Sequence, residues 1–151
     1  NLSHCASNLD LSMLAWSKAQ GLNGAAKVLQ EHSKEEVGHM FRLFDYINET
    51  GSQAIIGSIE APDNVFKDIS EVFEKTYKHE QFITTKINEL VELTLNQKDY
   101  ATFNFLQWYV SEQHEEEALF KGIIDKIKII GLEGRGLHIT DNEIGSLVGK
   151  I

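Results

Sequence analysis

Apolar residues recur along this chain at the three-and-four spacing of amphipathic helices, and four hydrogen-bonding residues interrupt them where leucines belong. Glu36 stands seven residues from Leu29 and from Leu43, Glu80 seven from Phe73 and Ile87, Gln113 seven from Leu106 and Phe120, and Glu116 seven from Tyr109 and Ile123. Seven residues make nearly two helical turns, so each of the four sits inside an otherwise apolar stripe. A carboxylate buried in a helix bundle destabilises it by several kcal/mol unless something compensates the charge. No Lys or Arg shares these stripes, and a metal cation is the expected compensator.

The same periodicity predicts an all-α chain, with helices over about 1–20 (Leu2, Ala6, Leu9, Met13, Trp16), 24–49, 68–96 and 100–130, and a short one over 141–148. Asn23 and Asp141 are the expected caps of the second and fifth helices. The first and second helices are joined through Gly21-Leu22-Asn23-Gly24, the third and fourth through Gln97-Lys98-Asp99. Between the second and third, Ser52 to Phe66 loses the helical pattern, and a connection of that length marks a crossover between distant helix ends. Short, long, short joins predict an antiparallel four-helix bundle with one long crossover, the ferritin-like topology, as a single domain over 1–151.

With 151 residues the chain is long enough to bury a core without staples, and its one cysteine, Cys5, excludes an intramolecular disulfide and suits a reducing, cytoplasmic setting. There is no run of about 18 apolar residues, so no membrane span is expected. The chain starts at Asn1 with no basic segment ahead of an apolar one, so no signal peptide is visible, and the pattern there reads as a helix already under way. A formal charge of −9 argues against nucleic acid and favours cations.

Glu36 and His39 stand three apart on one face of the second helix, Gln113 and Glu116 three apart on the fourth, and Glu80 falls at the middle of the third. Di-iron carboxylate bundles use a Glu from each of two helices and Glu-x-x-His from each of the other two. Here one such motif is intact and the second reads Gln113-x-x-Glu116. Oxygen donors with one imidazole suit iron or manganese and also accept zinc. A second acidic layer, Glu35, Glu112 and Glu115, is either an accessory iron site or a solvated face. His32, His79 and His114 read as surface or internally satisfied histidines, Trp108 and Tyr109 as core, and Tyr77 lies one turn before Glu80, within reach of the site.

The run from Phe103 to Glu117, with Gln107-Trp108-Tyr109 and Glu112-Gln113-His114-Glu115-Glu116, resembles the fourth helix of bacterial non-haem ferritins. Glu35-Glu36-x-x-His39-Met40 with Arg42-Leu43-Phe44-Asp45-Tyr46 resembles their second helix, and Lys86-Ile87-Asn88-Glu89-Leu90 extends the likeness into the third. The resemblance implies a closed homo-oligomeric cage of about 24 subunits that oxidises Fe(II) with dioxygen or peroxide and stores the ferric mineral inside. It implies Glu36 and His39 at a first iron, Glu80, Gln113 and Glu116 at a second or bridging position, and Glu35, Glu112 and Glu115 at a third. Haem-binding relatives carry methionine directly after the second-helix glutamate; Val37 stands there, so no haem is expected.

The first helix departs from the family. Aligned on Ala15-Trp16, Ser3 occupies the position of a glutamate that ligates the first iron, and Asp10 that of a tyrosine near the site. Asp10 lies seven residues, about 10.5 Å, along the helix from Ser3, and either supplies a displaced carboxylate or only hydrogen-bonds. The implied function is therefore iron storage with ferroxidase activity, or a container whose impaired first site oxidises iron slowly. A DNA-protecting miniferritin fits neither the acidic charge nor a ligand set held within one bundle.

Overall fold

A computed structural model describes residues 2–149; of Leu2 only the backbone is described, so its expected place on the apolar face lies outside these residues. Five helices follow in order: α1 (Leu2–Ala19), α2 (Asn23–Glu49), α3 (Ile69–Gln97), α4 (Tyr100–Ile130) and α5 (Arg135–Gly145). No strand occurs among the described residues, and no helix of theirs is long and apolar enough to cross a membrane. α1 packs along α2 and α3 along α4, while α5 closes on α2 and α4. The first four helices begin and end within a residue or so of the positions the periodicity predicts.

Their ends are set by local chemistry. Asp68 accepts from the Glu71 backbone N–H at 2.9 Å, while the Glu71 carboxylate accepts from the Lys67 N–H at 2.7 Å, a reciprocal capping arrangement at the start of α3. Asp99 caps α4 through the Thr102 N–H at 3.0 Å. Lys98 ends α3 in the left-handed region (φ 59°), a position glycine normally takes.

Two expectations fail at α5. The helix begins at Arg135 rather than 141, and Asp141 lies inside it, where its two carboxylate oxygens accept from the Gly24 and Ala25 N–H groups at 2.9 and 2.8 Å. Asp141 thus caps α2 across the fold, and Asn23, the expected cap, is the first residue of α2 with no side-chain cap beside it. The approach depends on glycine: a Cβ on Gly24 would stand 1.7 Å from the Asp141 carbonyl oxygen.

Two apolar clusters form the core. Met13, Val28, Leu29, Ile69, Phe73, Phe120 and Ile123 belong to the larger, Ala6, Ile83, Ile87, Leu106 and Tyr109 to the smaller. Every one of the four long helices passes from one cluster to the other through a polar residue: Asp10 in α1, Glu36 in α2, Glu80 in α3, Gln113 and Glu116 in α4. Val37, Leu90 and Val110, expected on the inner faces, are instead 37 %, 44 % and 37 % exposed, because they flank the stripe that the bundle interior covers.

Candidate metal centre

All of the stripe-interrupting residues are buried: Glu80 completely, Glu36, Gln113, Glu116 and His39 nearly so. The fold thus brings together five side chains from three helices. Gln113 Nε2 donates to Glu80 Oε2 at 3.1 Å and to the Glu80 carbonyl at 3.2 Å, tying α4 to α3. His39 Nδ1 lies 2.7 Å from Glu36 Oε1, and the Tyr109 hydroxyl donates to the His39 carbonyl at 2.7 Å. Glu36 Oε2, Glu80 Oε1 and Glu116 Oε2 are buried without a hydrogen-bond partner. Three carboxylate oxygens buried in one layer without a hydrogen-bond partner are atoms that a cation could satisfy.

His32 departs from expectation. It is wholly buried, one turn before Glu36 on α2, and its Nδ1 lies 2.8 Å from Oδ2 of the equally buried Asp10. The far nitrogen, Nε2, faces Glu116 Oε2 at 3.2 Å and Glu80 Oε1 at 3.7 Å without hydrogen-bond alignment. It is neither a surface histidine nor a fully satisfied one. The i, i+4 spacing to Glu36 was the available signal. Asp10 takes the hydrogen-bonding role rather than that of a displaced carboxylate in this layer.

The electrostatics follow from burial. Burial pushes the Glu80 carboxyl up to about 8, reinforced by Glu36 and Glu116 and opposed by His32 and Gln113. Burial works against protonation of His32, yet the charge and hydrogen bond of Asp10, with Glu116 beyond, hold its pKa well above the usual imidazole value. The balance of burial and neighbouring charges thus favours the protonated forms of both Glu80 and His32. His39 is likewise raised, its burial outweighed by Glu36. Burial lifts the Tyr109 phenol to about 12, so it stays neutral.

Two constellations of donor atoms emerge, each with its atoms within 4.8 Å of one another: His32, Glu36 and Glu80, and His39, Glu112 and Glu116. Of the outer acidic residues, Glu35 and Glu112 are half-buried at the margin of the layer, both with carboxyls raised by burial, whereas Glu115 is exposed. Ser3 shares a cavity of about 270 Å³ with His39, Tyr109 and Gln113. Tyr77 packs against the larger apolar cluster, His79 stands beside Phe82, His114 is exposed, and Trp108 lies under the Arg42 guanidinium at 4.4 Å.

Known proteins share this sequence and fold. Residues 1–130 match the family model for the ferritin-like domain. A Haemophilus influenzae protein described as a probable bacterial non-haem ferritin-like protein is 54 % identical over 150 residues, 99 % of this chain and 91 % of that one. The bacterial non-haem ferritin of Campylobacter jejuni is 54 % identical over 142 residues, covering 94 % and 85 %. Among solved structures, the open-pore ferritin of Archaeoglobus fulgidus superposes with a TM-score of 0.91 at 36 % identity over 95 % of this chain and 88 % of that one. Chlorobium tepidum ferritin does so with 0.85 at 46 % identity over 98 % and 91 %. The family match over residues 1–130 and the 54 % identical relatives, on a four-helix bundle crossed by a polar layer, identify the chain as a member of the ferritin family, among the bacterial non-haem ferritins.

Proposed function

We propose that this chain is the subunit of a homo-oligomeric iron-storage cage of ferritin type, cytoplasmic, whose buried polar layer binds Fe(II) as substrate and oxidises it before the ferric product is deposited inside. The observation that carries the reading is the set of buried oxygens on Glu36, Glu80 and Glu116 that have no hydrogen-bond partner. Glu36 and His39 would hold one ferrous ion, Glu80, Gln113 and Glu116 the second or the bridge, and Glu35, Glu112 and Glu115 an accessory position. Two ferrous ions each give up one electron, and one dioxygen accepts the pair. Carboxylates then favour the product, because ferric iron prefers anionic oxygen donors. The buried protons on Glu80 and His32 leave as the cations enter.

Assembly is supported by apolar residues left on the bundle surface: Ile55 and Val65 of the crossover are 84 % and 83 % exposed, and Phe41, Phe82 and Leu93 about half exposed. So much uncovered apolar surface is typical of an interface. A 24-subunit shell is the assembly we propose.

The second reading is a container with slow chemistry, favoured by Ser3: the cavity it shares with His39 and Gln113 has no carboxylate where the family places one. Anaerobic titration with Fe(II), followed by oxygen and stopped-flow absorbance, separates the two. Two tightly bound ferrous ions per subunit with fast oxidation support the ferroxidase; one bound ion with slow growth supports the container. Ser3→Glu, which sends a carboxylate into that cavity, is expected to raise both the affinity for Fe(II) and the oxidation rate.

A further inference from the structure

We propose that His32 is a metal ligand through Nε2, with Asp10 as its positioning residue, so that the layer is a two-histidine site rather than the one-histidine site its motifs imply. The proposal rests on the metal-binding reading above and adds a ligand to it.

The geometry begins with Asp10. Its Oδ2 accepts from His32 Nδ1 at 2.8 Å, which fixes the ring tautomer and turns Nε2, the remaining donor atom, towards the carboxylate layer. Ligating histidines usually donate their second ring nitrogen to a carboxylate, which orients the ring and raises its basicity. The edge of the ring pair with Phe120, centroids 4.7 Å apart at 79°, holds the imidazole plane from another side. Both members of the pair are buried, so neither orientation depends on solvent.

What Nε2 meets is a set of unsatisfied oxygens. Glu116 Oε2 lies at 3.2 Å and Glu80 Oε1 at 3.7 Å, and His32, Glu36 and Glu80 form a group whose donor atoms fall within 4.8 Å of one another. Donors about 2.1 Å from a common ion are separated by roughly 3–3.5 Å in tetrahedral or octahedral geometry. The observed spacings need only small side-chain movements to reach that range. Nε2 and the facing oxygens of Glu80 and Glu116 are all without a hydrogen-bond partner, which is the state expected of atoms awaiting a cation.

The second constellation has its own imidazole, although His39 Nδ1 also lies 2.7 Å from Glu36 Oε1. His39 Nε2 faces Glu112 Oε1 at 3.7 Å, on the margin of the layer, and groups with Glu116 rather than with Glu80. Each of two metal positions therefore has one imidazole, with Glu116 near both. In a chain that carries Ser3 instead of a carboxylate, His32 adds a nitrogen donor from the same face of α2 as Glu36 and His39.

Zinc serves as a redox-inert probe. The intact oligomer, loaded with two equivalents of Zn(II) per subunit, is crystallised and the zinc located by anomalous scattering. The expected result is zinc about 2.0–2.2 Å from His32 Nε2. Competition with a chromophoric chelator then measures each affinity. Asp10→Asn is expected to weaken one of the two sites about 10- to 100-fold and leave the other unchanged. His32→Gln abolishes that same site, while His39→Gln abolishes only the other. Zinc bound by Glu36, Glu80 and Glu116 with His32 Nε2 more than about 3 Å away overturns the proposal and leaves the metal-binding reading standing. Unchanged affinities in both Asp10→Asn and His32→Gln also overturn it. No zinc anywhere in the layer overturns both.

Discussion

Replacing Glu80 by glutamine tests whether the metal-free layer stores electrostatic strain. The Glu80 carboxyl is held at about 8 in the fold, against 4.5 for an ordinary glutamate, first by burial and then by Glu36 and Glu116. Between those values the folded chain keeps a proton that the unfolded chain has lost. Stability contributed by the group is therefore full below pH 4.5 and declines as pH rises towards 8, by about 1.4 kcal/mol per pH unit. At pH 7 the accumulated loss is about 3 kcal/mol. Glu80→Gln has no such proton to lose. Its carbonyl can accept from Gln113, as Glu80 Oε2 does at 3.1 Å, and its amide can donate to the orphaned oxygens of Glu36 or Glu116. Urea unfolding of chelator-treated protein, at fixed subunit concentration and pH 5 to 8, should show near parity at pH 5. By pH 7 the variant should lead by about 2–3 kcal/mol. Saturating Zn(II) should reverse the order, because ligand binding to the folded state adds stability that the weaker amide ligand forfeits. A difference that does not change with pH would refute the reasoning.

Three further predictions concern the scaffold. Asp141→Ala removes both acceptors at the start of α2 and should lower unfolding stability by about 1–3 kcal/mol, with Asp141→Asn intermediate, read by chemical denaturation. Gly24→Ala drives a methyl into the backbone of α5; a loss of about 1–3 kcal/mol and faster proteolysis within residues 135–145 are expected. Lys98→Gly relieves the left-handed strain at the end of α3 and should stabilise by about 0.5–1 kcal/mol, seen as a raised Tm.

The four long helices were legible because each carries a full heptad record, and the same record exposed Glu36, Glu80, Gln113 and Glu116 as intrusions. What periodicity could not supply was partnership. Asp141 has the residue type of a cap, and it is one, but for a helix 117 positions earlier in the chain; nothing local distinguishes that from capping its own. The glycines between 131 and 136 suggested a loop, yet Gly136 already lies within α5. His32 shows the same limit: nothing beside it in sequence decides between a surface and an internally satisfied histidine, and it is α1 that places Asp10 against it. The second imidazole of the layer, that of His32, is placed by that contact and not by any motif.

The cap that Asp141 provides has a consequence for the order of events during synthesis. The α1–α2 hairpin leaves the ribosome early, and its own residues leave the first N–H groups of α2 without a side-chain acceptor. Those donors wait until residue 141 has been made, almost the whole length of the chain later. The first turn of α2, two turns ahead of His32 and three ahead of Glu36, is therefore completed last, and a polypeptide cut short before Asp141 would expose its defect at the start of the very helix that bears the buried acids.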